Sequence, residues 1–192
     1  MVDVIRTERM VLRLLRADDR AEFVRVHREG HDHFRPWMPK PPDGETIEQA
    51  FQSELERFET GRVTGTAERR VALLEDGRMA GVFGLSQIFH GPFKNAYAGW
   101  RVAADCLGRG LATEGVIALL DLAFAPPPLG VGLHRVQANV IPDNVPSVRV
   151  AEKAGFRPEG IALRYLEIDG RWQDHVMFAK TADEHALRYL KG

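Results

Sequence analysis

The chain has 192 residues, a formal net charge of -1 and 28% charged residues, which gives no support to nonspecific binding of nucleic acid or an anionic membrane surface. A single cysteine, Cys106, excludes an internal disulfide and points to a reducing compartment. With 44% apolar residues the chain can bury the core of one domain spanning 1–192, and no linker, repeat or low-complexity tract interrupts it. Met1 to Arg6 carries no apolar h-region, and the most apolar helix, Val116 to Phe124, is short and holds Asp121. The expectation is a soluble cytoplasmic protein with no membrane partner.

In chain order, Met10, Leu12 and Leu14 alternate with Val11 and Arg13 and predict a strand from about Arg9 to Leu15. Ala17-Asp18-Asp19 offers a cap, and Phe23, Val26 and His27 share one face of the helix that follows. Four prolines between His31 and Gly44 predict a loop, which holds Phe34 and the Pro36-Trp37 pair. A second helix runs from about Thr46 to Thr60, with Ile47, Phe51, Leu55 and Phe58 at helical spacing. From Asp43 to Glu59 six acids stand against the single base Arg57. They read either as a solvated helix face or as an acidic lip that draws in a cationic substrate.

Strands follow at Arg70 to Leu74 and Met79 to Ile88, joined by the hairpin signal Asp76-Gly77, and at Asn95 to Val102. A helix from Ala112 to Phe124 carries an apolar stripe of Val116, Leu119, Leu120, Ala123 and Phe124, and Pro126 to Pro128 stop it. His134 to Ile141 alternates as a strand, with Val136, Ala138 and Val140 facing one way. Pro142-Asp143-Asn144 leads into a short helix with Pro146 in its first turn and Gly155 past its end. Ile161 to Ile168 and Arg171 to Ala179 form a hairpin around Asp169-Gly170, and a helix from Asp183 to Leu190 closes the chain. This order predicts an α/β (α+β) fold: a mixed sheet of about seven strands, helices on both faces, and one right-handed βαβ crossover whose strands are parallel.

The stretch around which these elements are organised is Leu107-Gly108-Arg109-Gly110-Leu111-Ala112-Thr113, between a strand and a helix. Two glycines before a helix let bare amides gather round an anion, and the helix N-terminus adds positive partial charge. A dinucleotide fingerprint fails, because Thr113 stands where the third glycine belongs and Gly130, Val131 and Gly132 lie where an acid is needed. A P-loop fails too, since the turn has no lysine. Alone, Gly-x-Gly reads equally as a structural tight turn.

Leu107 to Ala112 resembles the Gln/Arg-x-x-Gly-x-Gly/Ala loop of the GCN5-related N-acetyltransferase (GNAT) superfamily, departing only at Leu107. A bulky residue there is common in the ribosomal-protein alanine N-acetyltransferase (RimJ/RimL-type) branch. The likeness runs nearly end to end: Thr7 to Arg13, Gly99-Trp100-Arg101-Val102, Gly110 to Gly115, Asn139 to Ser147 and Glu152 to Arg157 each resemble a segment of that branch. It implies the GNAT fold and the co-substrate acetyl-CoA, with succinyl-CoA as another acyl donor should Arg101 or Arg109 meet a second carboxylate, and no metal. The coenzyme would be held by Arg101, Val102, Leu107, Gly108, Arg109, Gly110, Leu111, Ala112, Thr113, Asn139, Asn144 and Ser147. A homodimer is also implied.

In this family an acyl group passes directly from sulfur to a neutral amine. A backbone N–H near Arg101 or Val102 would face the thioester oxygen, and losing such a donor typically costs about 3 kcal/mol. Ser147 would give a proton to sulfur, with Tyr165 as the other candidate; on spacing alone Asn144 and Ser147 read as an N-cap and its partner. Many relatives carry a glutamate two residues before Gly99, where this chain has Tyr97. An α-amine costs only about 1.4 kcal/mol to hold neutral at pH 7 and a lysine amine about 4.6 kcal/mol, so a site without a strong base favours the α-amine of a protein N-terminus. A small amine (antibiotic, polyamine or amino acid) is the rival acceptor, and a non-catalytic acyl-CoA-binding module the rival function. Trp37, Tyr97 and Asp174 are the candidate acceptor contacts, with Phe34 beside Trp37. By alternation Asp174 reads as a semi-buried acid and His175 points to the opposite face, against a His–Asp pair. His31-x-His33 lacks further ligands for zinc, and nothing beside Cys106 suggests a thiolate.

Overall fold

A computed structural model describes residues 2–190, with side chains through Ala186. The elements are β1 (Val4–Arg6), β2 (Val11–Arg13), α1 (Arg20–Glu29), α2 (His31–Phe34), α3 (Ile47–Thr64), β3 (Glu68–Leu73), β4 (Met79–Phe89), β5 (Asn95–Val102) and α4 (Leu111–Phe124). They continue with β6 (Arg135–Val140), α5 (Val145–Lys153), β7 (Arg157–Ile168), β8 (Arg171–Thr181) and α6 (Ala182–Leu190). One sheet runs β1-β2-β3-β4-β5-β6-β8-β7, antiparallel except at β5–β6. The expected parallel crossover through α4 is therefore present. The sheet has eight strands rather than about seven, because Val4–Arg6 pairs with Val11–Arg13. Three residues between Asp3 and Thr7 are too few to show a period of two.

Local chemistry places the helix ends. Thr46 and Gln49 form a reciprocal capping box at the start of α3, and left-handed Gly65 closes it. That helix runs four residues beyond the expected Thr60, and the proline-rich segment expected to be loop contains α2 and a 3-10 turn at Arg35–Trp37. The core residues Leu12, Phe83, Leu85, Leu119, Leu120 and Val136 are all fully buried. Close approach of α4 to the sheet requires Gly115, since a Cβ there would lie 2.2 Å from the Phe83 ring.

Phe83 pairs across β4–β5 with Trp100, so Ala98, Trp100 and Val102 share the face covered by α4. Tyr97, Gly99 and Arg101 take the other face, with Arg69 of β3, whose guanidinium meets Glu54 of α3. Helices α1 to α3 cover that second face. Register carries it on to Gln137 and Asn139 of β6 and to His175 and Met177 of β8.

The parallel pairing of β5 with β6 covers only Asn95↔Arg135, Ala96↔Val136 and Tyr97↔Gln137. Beyond Tyr97 the two strands part, although β5 continues to Val102 and β6 to Val140. One edge of β5 from Ala98 onward is thus open, and so is the sheet.

Candidate active site

A cavity of about 730 Å³ occupies that opening. Its walls come from both faces of the sheet: Ala98, Trp100 and Val102 from the α4 side, Gly99, Arg101, Asn139 and His175 from the other. The cavity therefore passes through the sheet where the strands part.

At one end lies the Gly108–Thr113 turn. Gly108 and Gly110 hold φ of 71° and 79°, conformations that glycine adopts without strain, and Gly110 is the N-cap of α4. The amides of residues 108 to 113 donate to no acceptor among the described residues. A Cβ on Gly108 would meet nothing within 4 Å. Open space ringed by free N–H groups at a helix N-terminus is a ready anion site. Arg9 braces it from the far side of the chain. Its guanidinium donates to the Arg109 carbonyl at 2.7 Å and pairs with Glu114 at 2.6 Å, and its amide donates to Glu114 at 2.9 Å. Burial pushes the Glu114 carboxyl up, but hydrogen bonds from Thr7 and Arg9 together hold it below the usual carboxylate range.

The adjoining wall is α5. Asn144 caps this helix, its side chain accepting from the Ser147 amide at 3.2 Å, and Asn144, Ser147, Arg149, Val150 and Lys153 all line the cavity. Neither Arg149 nor Lys153 forms an ion pair among the described residues.

The other end is a chamber beneath the Phe34–Met38 segment. Gly99 leaves open space there, for a Cβ on it would touch nothing within 4 Å. His33, Phe34, Trp37 and Met38 line one side. The Arg101 guanidinium stands 5.3 Å from the centre of the Phe34 ring and 3.7 Å from Met38 Sδ. Burial lowers the pKa of Arg101. Burial, with the nearby Arg101 charge, also pushes the neighbouring His27 down to about 4, so its imidazole is neutral at pH 7.

His175, only 4% exposed, contributes the opposite wall. Its Nδ1 meets the Gln173 carbonyl at 3.1 Å, so Nδ1 carries a proton and Nε2 is the nitrogen that faces away from this bond. Its ring lies 5.2 Å from that of Tyr165, whose hydroxyl accepts from Asn139 Nδ2 at 2.8 Å.

Arg101, Val102, Leu107, Gly108, Gly110, Leu111, Ala112, Thr113, Asn139, Asn144, Ser147 and Trp37 all line the cavity. Arg109, Tyr97 and Asp174 do not. Arg109 offers its carbonyl to Arg9, and Tyr97 sits on the chamber face of β5 one step short of Gly99. Asp174 is exposed rather than semi-buried, because its carboxylate accepts from the Arg164 amide where β7 bulges and Arg164 takes φ of 48°. Cys106 lines the cavity, and burial pushes its thiol up, away from thiolate chemistry. None of the acids between Asp43 and Glu59 reaches the cavity, and no aspartate or glutamate among the described residues lines it. Asp43, Glu48, Glu56 and Glu59 are exposed, and Glu54 is engaged by Arg69. Among the described residues no three His, Cys, Asp or Glu side chains come together to hold a metal, and no helix is long and apolar enough to cross a membrane.

The residues that sequence reasoning missed are Arg9, Glu114, His33, Met38, Arg149, Lys153 and His175. Arg149 and Lys153 carried a local signal, two cations at i and i+4 on a short helix. The Arg9–Glu114 brace joins residues 105 apart in sequence and carried none.

An opened parallel pair, a free-amide turn before a helix and a through-sheet cavity define an enzyme that presents a phosphate-bearing coenzyme to a second substrate. The family model of the GNAT acetyltransferase domain matches residues 9–157, and the chain belongs to that family of N-acetyltransferases, which use a coenzyme A donor. It is 31% identical over 183 residues to the probable N-acetyltransferase YjcK of Bacillus subtilis, covering 92% of this chain and 96% of that protein. It is 28% identical over 179 residues to the [ribosomal protein uS5]-alanine N-acetyltransferase of Escherichia coli, covering 93% and 90%. The structure of Mycobacterium smegmatis RimJ in complex with CoA-disulfide superposes with a TM-score of 0.84 at 32% identity, covering 95% of this chain and 88% of that one.

Proposed function

We propose that the enzyme moves an acetyl group from acetyl-CoA to the α-amine of a protein N-terminus by direct attack. The observation that carries this reading is the chamber itself: among the described residues its walls hold the His175 imidazole and no carboxylate. A polyamine or aminoglycoside would bring several ammonium groups to walls with no acid to receive them and Arg101 to repel them. A lysine amine would ask a weak base to overcome about 4.6 kcal/mol, an α-amine only about 1.4 kcal/mol. Likeness to alanine N-acetyltransferases of ribosomal proteins supports the same acceptor.

In this mechanism the free amides of the Gly108–Thr113 turn take the pyrophosphate, and Arg149 and Lys153 face the remaining phosphate charge. The pantetheine arm enters where β5 and β6 part, replacing the hydrogen bonds that β5 has lost there. His175 Nε2 takes the proton that leaves the ammonium, freeing the lone pair for attack. The new C–N bond forms as the carbonyl oxygen gains charge, received by a backbone N–H at Arg101 or Val102. The C–S bond then breaks, and the second amine proton passes through the Ser147 hydroxyl to sulfur, giving amide and free thiol. Self-association would use the edge strand β7, where Ile161, Leu163 and Leu166 are exposed beside Trp172 of β8; a monomer in analytical ultracentrifugation at micromolar concentration would remove that part.

The test is thiol release from acetyl-CoA with peptides that differ in their first residue, N-acetylated controls that keep one internal lysine, and free polyamines. Turnover confined to free peptide α-amines is the expected result. Preference for lysine side chains or polyamines would overturn the acceptor assignment, and coenzyme binding without thiol release from any amine would favour the acyl-CoA-binding module.

A further inference from the structure

Among the described residues Arg101 is the one lysine or arginine on the chamber side of the cavity, Arg149 and Lys153 standing on the α5 wall. No carboxylate lies within 4.0 Å of its guanidinium among the described residues; its contacts are the Phe34 ring and Met38 Sδ. The nearest acid on that face, Glu54, is already engaged by Arg69 at 3.1 Å. His27, which its charge reaches, is neutral. Arg101 is half-buried in the cavity wall, and a guanidinium there without a counter-charge is stabilised once an anion arrives in a planar, two-pronged contact. The aromatic ring and thioether beside it hold the group in place, with Nη1 donating weakly to the Met38 sulfur and no oxygen accepting from the guanidinium among the described residues.

We propose that Arg101 is a carboxylate-binding residue of this chamber, so that one of the two substrates carries a carboxylate close to the reacting amine or acyl carbon. Resting on the acyl-transfer reading above, this narrows its substrates to two sources of the same chemistry. The first is an acidic acceptor: a peptide with Asp or Glu at its start, or an amino acid bearing its own carboxylate. The second is a dicarboxylic acyl donor such as succinyl-CoA. The face on which Arg101 stands favours the first, because it is turned toward α1 to α3 and away from the α4 side that carries the coenzyme turn.

The experiment compares matched pairs on the wild type, Arg101→Gln and Arg101→Lys. The pairs are peptides with Glu or Gln at the second position, an amino acid and its carboxamide, and succinyl-CoA and butyryl-CoA. The readout is the ratio of kcat/KM, charged over neutral. One pair is expected to show a wild-type preference of about 10- to 100-fold, which collapses toward unity in Arg101→Gln and is partly kept in Arg101→Lys. A preference in an acceptor pair assigns the carboxylate to the amine, and a preference in the donor pair assigns it to the acyl group. Equal ratios in wild type and Arg101→Gln for all three pairs would overturn the proposal. Should the variant fail to fold, product inhibition of the wild type decides instead: N-acetylated peptides with Glu must inhibit more strongly than those with Gln, or succinate more strongly than butyramide. If no thiol is released from any donor, calorimetric binding of the same pairs still reads the carboxylate preference, which separates this proposal from the transfer reading.

Discussion

The two ends of the cavity are built from different materials. The end read as the coenzyme's is made largely of backbone, namely amides of a turn fixed by two left-handed glycines, the first turn of α4 and the open edge of β5, with Ser147, Arg149 and Lys153 of α5 beside it. The chamber end is made of side chains, Phe34, Trp37, Met38, Arg101 and His175, carried by four separate elements. Backbone groups suit the phosphates and amide-rich arm of the coenzyme A proposed for this end. Side chains can change one at a time, and the chamber is where this chain has a half-buried arginine and a buried imidazole but, among the described residues, no acid.

If that division holds, changes at the chamber end act on turnover and leave coenzyme affinity alone. His175→Ala gives the largest effect, a fall in kcat of about 10²- to 10³-fold, the range lost with a positioned general base. Stabilisation of the enzyme by acetyl-CoA is expected to stay at the wild-type value. A loss of coenzyme binding of the same size would mean that His175 is part of the wall common to both ends.

The chamber end also carries a pH cost in the range where histidine titrates, above the acid range in which Glu114 at the other end would lose its contribution. His27 has its folded pKa depressed to about 4 from 6.5, by burial and by the Arg101 charge. The unfolded chain therefore binds this proton first, so stability is complete above pH 6.5 and is lost as the pH falls toward 4. Between pH 7.5 and pH 5 the loss is about 2 kcal/mol. Urea unfolding at the two pH values is expected to show it in the wild type and not in His27→Gln. An equal loss in both proteins would move the cause elsewhere.

How far each end could be read from sequence follows from the same difference. Leu107 to Thr113 and Asn139 to Ser147 are contiguous, so their glycines, cap and proline spell out the turn and helix directly, and all but Arg109 among the residues expected at the coenzyme line the cavity. The parting of β5 from β6 could not be read, because alternation marks strands and not the point where pairing stops. The chamber brings Phe34 to His175 across most of the chain. Alternation did put His175 on the face opposite Asp174, yet nothing local told which face would be roofed by α1 to α3. Tyr97 is where this chain departs from the expected glutamate, and the imidazole proposed in its place, His175, lies on a strand far along the chain.

At the coenzyme end, Gly110→Val tests the turn. With φ of 79° a β-branched residue is strained there, and its side chain would crowd Arg9, whose Nη2 lies 3.4 Å from the Cβ position. About 10-fold weaker acetyl-CoA binding is expected, read by calorimetry, with the ratio of turnover among acceptor peptides unchanged. Affinity equal to wild type would take the pyrophosphate away from this turn.

The smallest effect is expected at the brace behind that turn. Arg9 ties the Arg109 carbonyl and Glu114 together, yet its own side chain is 44% exposed, so its ion pair is worth little by itself. What Arg9→Met removes is the constraint on a loop whose amides must all point inward before the anion arrives. The cost then appears as ordering on binding, about 3-fold in acetyl-CoA KM. Because the brace touches only the coenzyme end, kcat at saturating acetyl-CoA and the KM for the acceptor peptide should match the wild type. Glu114→Gln removes the same partner from the opposite side, so the double variant should lose no more than either single one. Additive losses would mean that the two residues act separately, and that the turn is held by its glycines alone.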